Sequence, residues 1–231
     1  MVNRAIACGF LLFTPCVFGQ DNPLERPASD FHSTGVGLTE TLLKFSHQQH
    51  LRIAIEYVDR ASMEQPIDVS LQNKTVRQAL DSILRNGQGY IWCSRNGIVE
   101  ITNRRASKRA EDQFTKVIPV FEISEGARVK FASAALWLNL QIALDPKLKE
   151  QGVGGDFPGV SSSIKPATLR GRTVRQILAY IVLNSQAEGW IAAGPPECLG
   201  FTPYCGLWYT IEEEPSDPSY RSVLQNIRNN L

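Results

Sequence analysis

The chain is poor in the residues and motifs by which enzymes are usually recognised. It has three histidines in 231 residues, all of them before residue 51. A serine nucleophile needs a base and an orienting acid, and the sequence has no Gly-x-Ser-x-Gly motif. The glycine-rich stretch 152–155 is not followed by Lys-Ser or Lys-Thr, as a phosphate-binding loop would be. The sequence therefore predicts no catalytic residue and no cofactor, and we expect that the protein is not an enzyme.

Neither sign of charge is in excess. The chain has 24 Lys and Arg residues against 23 Asp and Glu residues. Proteins that bind nucleic acids rely on a surplus of basic residues to neutralise phosphates. The polar stretch 103–116 has several basic residues, but such a run is typical of a solvated linker. We therefore expect no nucleic-acid partner.

The sequence also has no long apolar run. Even its longest one, at the beginning of the chain, is short. Residues 5–19 contain no charged residue and follow Arg4. A membrane-spanning helix takes about 20 apolar residues, so this run is too short. It ends in small residues, with Gly19 before polar Gln20, as secretory signal peptides do. We predict a signal peptide over residues 1–19 and a periplasmic or secreted location, with an uncleaved anchor or a buried strand as alternatives.

Three cysteines lie beyond the predicted signal peptide. Cys198 and Cys205 flank a loop that is rich in Gly and Pro, and such a loop can bring them within bridging distance. We predict a disulfide between them, with Cys93 as a spare thiol of unknown redox role. The alternative is half of a zinc site, but no second cysteine pair or nearby histidine completes four ligands. The apolar side chains of Phe201 and Tyr204 in the same loop are predicted partner contacts.

The sequence contains an internal repeat. Residues 71–80 and 169–178 are identical at six of ten positions, and each segment contains Thr-Val-Arg-Gln. A Thr followed three residues later by Gln is a capping box, in which each side chain satisfies a free amide at a helix start. The repeat therefore predicts one building block used twice.

The first copy, residues 36–103, has regular periodicity. We predict a helix from Thr39 to Gln49, a strand from Leu51 to Tyr57 and a strand from Pro66 to Leu71. A helix then begins after Thr75 and ends near Gly87. Two strands follow, 90–94 and 98–102, joined at Asn96-Gly97, a sequence that favours a two-residue hairpin turn.

The second copy, residues 118–214, repeats this order. The predicted elements are a helix over 127–138, a strand over 140–144, a Gly/Ser/Pro-rich loop over 152–163, a strand that ends at Leu169, a helix after Thr173, and a final hairpin of strands 189–192 and 207–211. Residues 104–117 are a predicted linker and residues 215–231 a polar tail. The fold class is α+β, with two repeated small units that each pack two helices on a small mixed sheet.

Two further groups of residues are weighed as sites. His47 and His50 lie near one helix end, but without a third ligand we predict an exposed helix end rather than a metal site. Trp92, Trp190 and Trp208 lie in the predicted hairpin strands. We expect these indoles to pack inward, with an aromatic binding face as the alternative.

The first unit resembles the secretin and TonB short N-terminal (STN) domain. The resemblance covers about 65 residues and lies in the phrase "PIDVSLQNKTVRQALDSILRNGQGYIWCSRNGIVEI" and the helix and strand before it. The matching positions are mostly core and turn residues: Val69, Leu71, Thr75, Ala79, Leu80, Ile83, Leu84, Tyr90, Gly97 and Ile101. The second unit is similar mainly in its helix phrase, and its long loop around Cys198 departs from the family.

The resemblance implies a periplasmic module that contacts other envelope proteins, such as a secretin, a receptor or another part of an outer-membrane complex. The exposed edge of a small sheet offers such a partner a place to add a strand. Two other functions stay open: a secreted hydrolase of unrecognised type, which would need a deep polar cleft with titratable groups of perturbed pKa, and a structural subunit that assembles with itself.

Overall fold

The computed structural model describes residues 23–58, 60–85, 89–104, 113–144, 146–147, 162–193, 207–211 and residue 225. Within these ranges the chain is α+β, as predicted, with several helices and three small sheets. The predicted signal peptide and, apart from residue 225, the predicted tail lie outside the described residues.

The first unit follows the predicted order with two additions. Its elements are β1 (Phe31–Gly37), α1 (Leu38–Gln48), β2 (Arg52–Val58), α2 (Arg60–Glu64), β3 (Pro66–Leu71), α3 (Val76–Arg85), β4 (Tyr90–Arg95) and β5 (Ile98–Asn103). The sequence analysis missed β1 and α2. β1 pairs antiparallel with β3 in a two-stranded sheet.

The second unit has the same kind of two-stranded sheet, helices and final hairpin. Its elements are β6 (Val117–Ile123), α4 (Val129–Leu144), β7 (Ala167–Thr173), α5 (Val174–Leu183), β8 (Gly189–Ala193) and β9 (Leu207–Ile211). β6 pairs antiparallel with β7, as β1 does with β3. No helix within the described ranges combines the length and the apolar composition that crossing a bilayer requires.

One predicted element of the second unit is wrong. Residues 140–144 were expected to form a strand, but they are the last residues of the continuous helix α4. Leu136 and Leu140 are both fully buried, and a helix places residues four positions apart on the same side. Short apolar runs fit strand and helix periodicity alike. Here the side of the helix that carries Leu136 and Leu140 packs against the core, and this packing favours the helix.

The two units share one mixed sheet. Its five strands lie in the order β4, β5, β2, β8, β9. β2, from the first unit, pairs in parallel with β5 on one side and with β8, from the second unit, on the other. Each unit thus has its own two-stranded sheet, while the central sheet contains strands of both.

The shared sheet separates two hydrophobic cores. Side chains alternate between the faces of a strand, so Ile53 and Ile55 of β2 belong to the core beneath the first unit's helices. Ala54, between them, belongs to the core beneath the second unit's helices, together with Trp190 of β8. Helices of the two units therefore cover opposite faces of one sheet.

Gly189 allows the two units to approach closely. A Cβ atom at this position would lie 1.7 Å from the backbone oxygen of Ile53 on β2. No side chain fits at that separation, so the parallel pairing of β2 with β8 requires glycine here.

The predicted helix starts and hairpin turn are confirmed. The backbone amide of Gln78 donates to Oγ1 of Thr75 at 3.3 Å, and Oε1 of Gln78 accepts from the amide of Thr75 at 3.0 Å. Thr173 and Gln176 form the same pair of hydrogen bonds. The turn between β4 and β5 has positive φ at Asn96 and Gly97 (53° and 78°), as a two-residue hairpin turn needs.

Candidate functional site

Strand β4 forms one edge of the central sheet. Its six residues pair regularly with β5, from Tyr90 opposite Asn103 to Arg95 opposite Ile98. In the described part of the chain no second strand lies beside it. Among the described residues, the backbone groups on its other side therefore have no strand partner.

The hydrogen-bond register identifies which backbone groups face this open side. The amide of Arg104 donates to the carbonyl oxygen of Gly89 at 2.8 Å, which makes this a bonded pair. Bonded and non-bonded pairs alternate along an antiparallel ladder. The odd-numbered positions 91, 93 and 95 therefore bond to β5, and the N–H and C=O groups of Trp92 and Ser94 face away from it.

A groove of about 640 Å³ lies beside this edge, on the face covered by the first unit's helices. Its lining residues come from the N-terminal segment, α3 and β4: Leu24, Arg77, Asp81, Trp92, Cys93 and Ser94. The half-buried indole of Trp92 packs against the first core. It is therefore one wall of the groove and at the same time part of the sheet edge.

Hydrogen bonding and stacking fix the indole of Trp92. Its Nε1 donates to Oδ1 of Asp81 at 2.8 Å, and the guanidinium of Arg77 lies 5.3 Å from the ring centroid. Arg77 also forms an ion pair with Glu25. Because α3 holds Arg77 and Asp81 one turn apart, one helix face positions both groups beside the strand edge.

The segment before β1 completes the groove and the start of α3. The carbonyl oxygens of Leu24 and Arg26 accept hydrogen bonds from the amides of Arg77 (2.9 Å) and Val76 (3.1 Å). These amides belong to the first turn of α3, where a helix has no internal acceptor. The side chain of Leu24 is buried, so this segment fixes the groove wall and the helix together.

On the opposite face of the sheet, a buried ion network joins the units. Glu56 on β2 is fully buried and accepts two hydrogen bonds from Arg175 of α5, at 2.9 Å (Nε to Oε1) and 2.7 Å (Nη2 to Oε2). Glu100 on β5, also buried, lies 4.0 Å from Nε of Arg175. The guanidinium also lies over the ring of Phe114, 5.4 Å from its centroid.

Cys93 lies at the edge of this network. Its Sγ donates a weak hydrogen bond to Oε2 of Glu100 at 3.6 Å. Burial of the thiol, and then the negative charge of Glu100, raise the pKa of Cys93 above its ordinary value. Both effects disfavour the thiolate, which is the reactive form of cysteine.

Several predicted site residues lie outside the described residues. These are the predicted disulfide partners Cys198 and Cys205 and the predicted partner contacts Phe201 and Tyr204. Both predictions stay untested.

The histidines occupy separate places. Nδ1 of His47 lies 2.9 Å from Oε1 of Glu188, a contact between the two units, while His32 bonds to Thr34. Within the described ranges no three side chains of the metal-binding types come together.

Of the three tryptophans predicted to pack inward, the structure describes the side chains of two, Trp92 and Trp190. Trp190 is fully buried in the second core, as predicted. Trp92 is only half-buried and faces the groove. The inward packing expected of all three holds for Trp190, while the half-buried Trp92 packs against the first core and also lines the groove.

Sequence reasoning missed the groove and the ion network, although part of the signal was present. Glu56 interrupts the apolar part of β2 that follows Arg52, and a charged residue on a buried strand face needs a partner. That partner, Arg175, lies 119 positions away in the sequence. It can be identified only from the shared sheet.

Comparison with known proteins gave no match: no protein-family model, no curated protein and no solved structure is significantly similar to this chain.

Proposed function

We propose that this chain is a protein-interaction module of the bacterial envelope, built of two STN-like units, and that it binds an extended segment of an envelope partner along β4. The observation that carries the proposal is the pair of outward-facing backbone positions, Trp92 and Ser94, beside a groove of about 640 Å³. An added strand would satisfy these backbone groups, and the groove would receive its side chains.

The composition of β4 supports this use of the edge. Proteins usually protect an edge strand with proline, a bulge, inward-pointing charges or a covering element. β4 contains no proline, its ladder with β5 shows no break in register, and its one charged residue, Arg95, lies at its end. Ile91 is 40% exposed, and Trp92 is half-buried next to it. Aromatic side chains are enriched in protein interfaces, so this edge fits a binding role better than a protected one.

The envelope location rests on the signal-peptide pattern of residues 1–19 and on the resemblance of the first unit to STN domains. A second contact is proposed at Phe201 and Tyr204, in a segment that the sequence predicts to be a loop, because aromatic residues there would be costly to expose unless a partner covered them. Replacing both residues with Ala is expected to weaken capture of a partner without changing the urea unfolding curve.

A matched pair of variants at Ser94 tests strand addition. Ser94→Pro removes an amide that faces away from β5, so the ladder with β5 stays intact, whereas Ser94→Ala keeps the amide. The probe is a displayed library of random nine-residue peptides, selected on the chain without residues 1–19. The wild type and Ser94→Ala are expected to enrich related peptides, and Ser94→Pro is expected to enrich none while keeping its circular dichroism spectrum.

Two outcomes would contradict the proposal: a wild-type protein that enriches no peptide, or a Ser94→Pro variant that enriches the same peptides equally well. Light scattering on the same proteins tests the self-assembling alternative. We expect a monomer, and an oligomer that dissociates in Ser94→Pro but not in Ser94→Ala would instead assign the edge to a second copy of the chain.

A further inference from the structure

We infer that the segment bound along β4 carries a lysine or arginine, and that this cation binds Asp81 in the groove beside Trp92. This inference rests on the proposed function and specifies the partner's chemistry at the same site.

The charges around the groove favour a cation. Among the described residues that line it, Arg77 is the only basic one, and its guanidinium already pairs with Glu25 and stacks on Trp92. Asp81 forms no ion pair with any residue in the described part of the chain. With Arg77 and Glu25 compensating each other, no cation among the described residues pairs with the negative charge of Asp81.

The carboxylate of Asp81 is also held in place. Oδ1 accepts the hydrogen bond from Nε1 of Trp92, at 2.8 Å, which orients the group toward the strand edge. An ionised carboxylate has about four acceptor positions, so most of them remain for a ligand. Because the group is oriented before binding, less conformational entropy is lost when a ligand binds there.

Strand geometry brings a partner's side chain to this carboxylate. On an antiparallel pair, the residue directly opposite Trp92 would project to the same face of the sheet, with Cβ atoms about 4.5–5.5 Å apart. That is the face on which the groove lies. A lysine at this position would lay its methylene chain along the indole and place its ammonium group near Asp81.

Other side chains fit the same position less well. A glutamate would meet the uncompensated charge of Asp81, while Arg77 is already engaged by Glu25. A large apolar side chain would cover the carboxylate and remove its water without a replacement, which is unfavourable. A basic residue is the one class that both covers the groove and supplies the missing counter-charge.

The test measures peptide affinity on a matched pair of protein variants. Asp81→Asn removes the charge and keeps an oxygen that accepts from Trp92. The control is Asp68→Asn, because Asp68 is another exposed carboxylate that accepts one amide, from Gly35 at 3.0 Å, but lies on β3 away from the groove. The probes are synthetic nine-residue peptides taken from the library selection on the wild type, each with its basic residue present or replaced by Gln.

We expect basic residues to be enriched at one peptide position, and the Lys→Gln replacement to weaken binding to the wild type by about threefold to tenfold in fluorescence anisotropy. On Asp81→Asn the same replacement should change the affinity by less than about twofold, whereas Asp68→Asn should behave as the wild type.

The outcomes separate this inference from the proposed function. Peptides that bind with no basic preference, or with a basic preference that Asp81→Asn leaves unchanged, overturn the inference while strand addition stands on the Ser94→Pro result. If the wild type enriches no peptide, or if Ser94→Pro binds as well as the wild type, the proposed function fails and the inference fails with it.

Discussion

The helix starts at Thr75 and Thr173 contain the same four residues and the same capping box, but their arginines lie in different surroundings. Arg77 is 44% exposed and pairs with Glu25, which is 53% exposed. Arg175, at the same position of the repeat, is 11% exposed and binds the fully buried Glu56. The local sequence thus gives both helices the same start, while the surrounding structure gives the two arginines different roles.

The shared sheet is the source of this difference. Arg77 lies over the edge strand β4, where solvent reaches its ion pair, and an exposed ion pair contributes little to stability. Arg175 lies over β2 and β5 in the interior, where two carboxylates, those of Glu56 and Glu100, approach it. A buried charge that loses its partner is strongly destabilising. Two predictions test how far the two helix starts differ, and two more concern Cys93, which borders the network of Arg175.

The largest difference is expected when the two arginines are replaced. Arg175→Met should lower the free energy of unfolding by about 3–5 kcal/mol, because it removes a cation that the fully buried Glu56 binds. Arg77→Met should lower it by less than about 1 kcal/mol, since its pair with Glu25 is exposed. Urea unfolding followed by circular dichroism measures both values, and equal losses in the two variants would contradict the comparison.

The capping threonines are expected to behave alike. Thr75→Ala and Thr173→Ala should each cost about 1 kcal/mol of unfolding free energy, because each removes one hydrogen bond to a free helix amide. The same urea experiment applies, with Thr34→Ala on the exposed face of β1 as a control. A difference between the two caps as large as that expected between the arginines would show that the helix starts are not locally equivalent.

The smallest effect concerns the thiol of Cys93, which borders the network of Arg175. Burial and the charge of Glu100 raise the pKa of Cys93. Glu100→Gln should therefore lower this pKa and speed alkylation of Cys93 by iodoacetamide near pH 8. Asp81→Asn, beside Arg77, should leave the rate unchanged. Mass spectrometry of the peptide that contains Cys93 measures the alkylation rate. An unchanged rate in Glu100→Gln would show that this carboxylate does not raise the pKa of Cys93.

The raised pKa of Cys93 also predicts the direction in which the free energy of unfolding changes with pH. Because the pKa of Cys93 is higher in the folded protein than in the unfolded chain, its contribution to stability is present below the unfolded value, about 8.5. That contribution is lost as the pH rises from there toward the folded pKa. Cys93→Ala should therefore make the unfolding free energy less sensitive to pH in this alkaline range.

Much of the first unit could be predicted from the sequence because its signals are local. The strand Pro66–Leu71 alternates apolar and polar residues, and the turn at Asn96-Gly97 needs positive φ that these two residues adopt readily. The helix after Thr75 begins with a side-chain cap that lies within four residues. Such features depend on residues that are close in the sequence, so they can be predicted without knowledge of the fold.

The errors and omissions fall where distant residues decide. Residues 140–144 alternate well enough for a strand, but packing of Leu136 and Leu140 on one core continues the helix. β1 is irregular in sequence and is fixed by pairing with β3. The groove combines β4 with α3 and with Leu24, which precedes them by more than 50 positions, so no local pattern could indicate it.

By itself the sequence determined the two capped helices, the hairpins and the α+β class, because hydrophobic period, caps and turn residues act over a few positions. Only the tertiary structure decided that the two copies share one sheet, that Arg175 is buried while Arg77 is exposed, and that β4 is left as an open edge. These features arise from the pairing of β2 with β5 and with β8, which joins residues 46 and about 136 positions apart, and pairing at that distance depends on the packing of the whole chain.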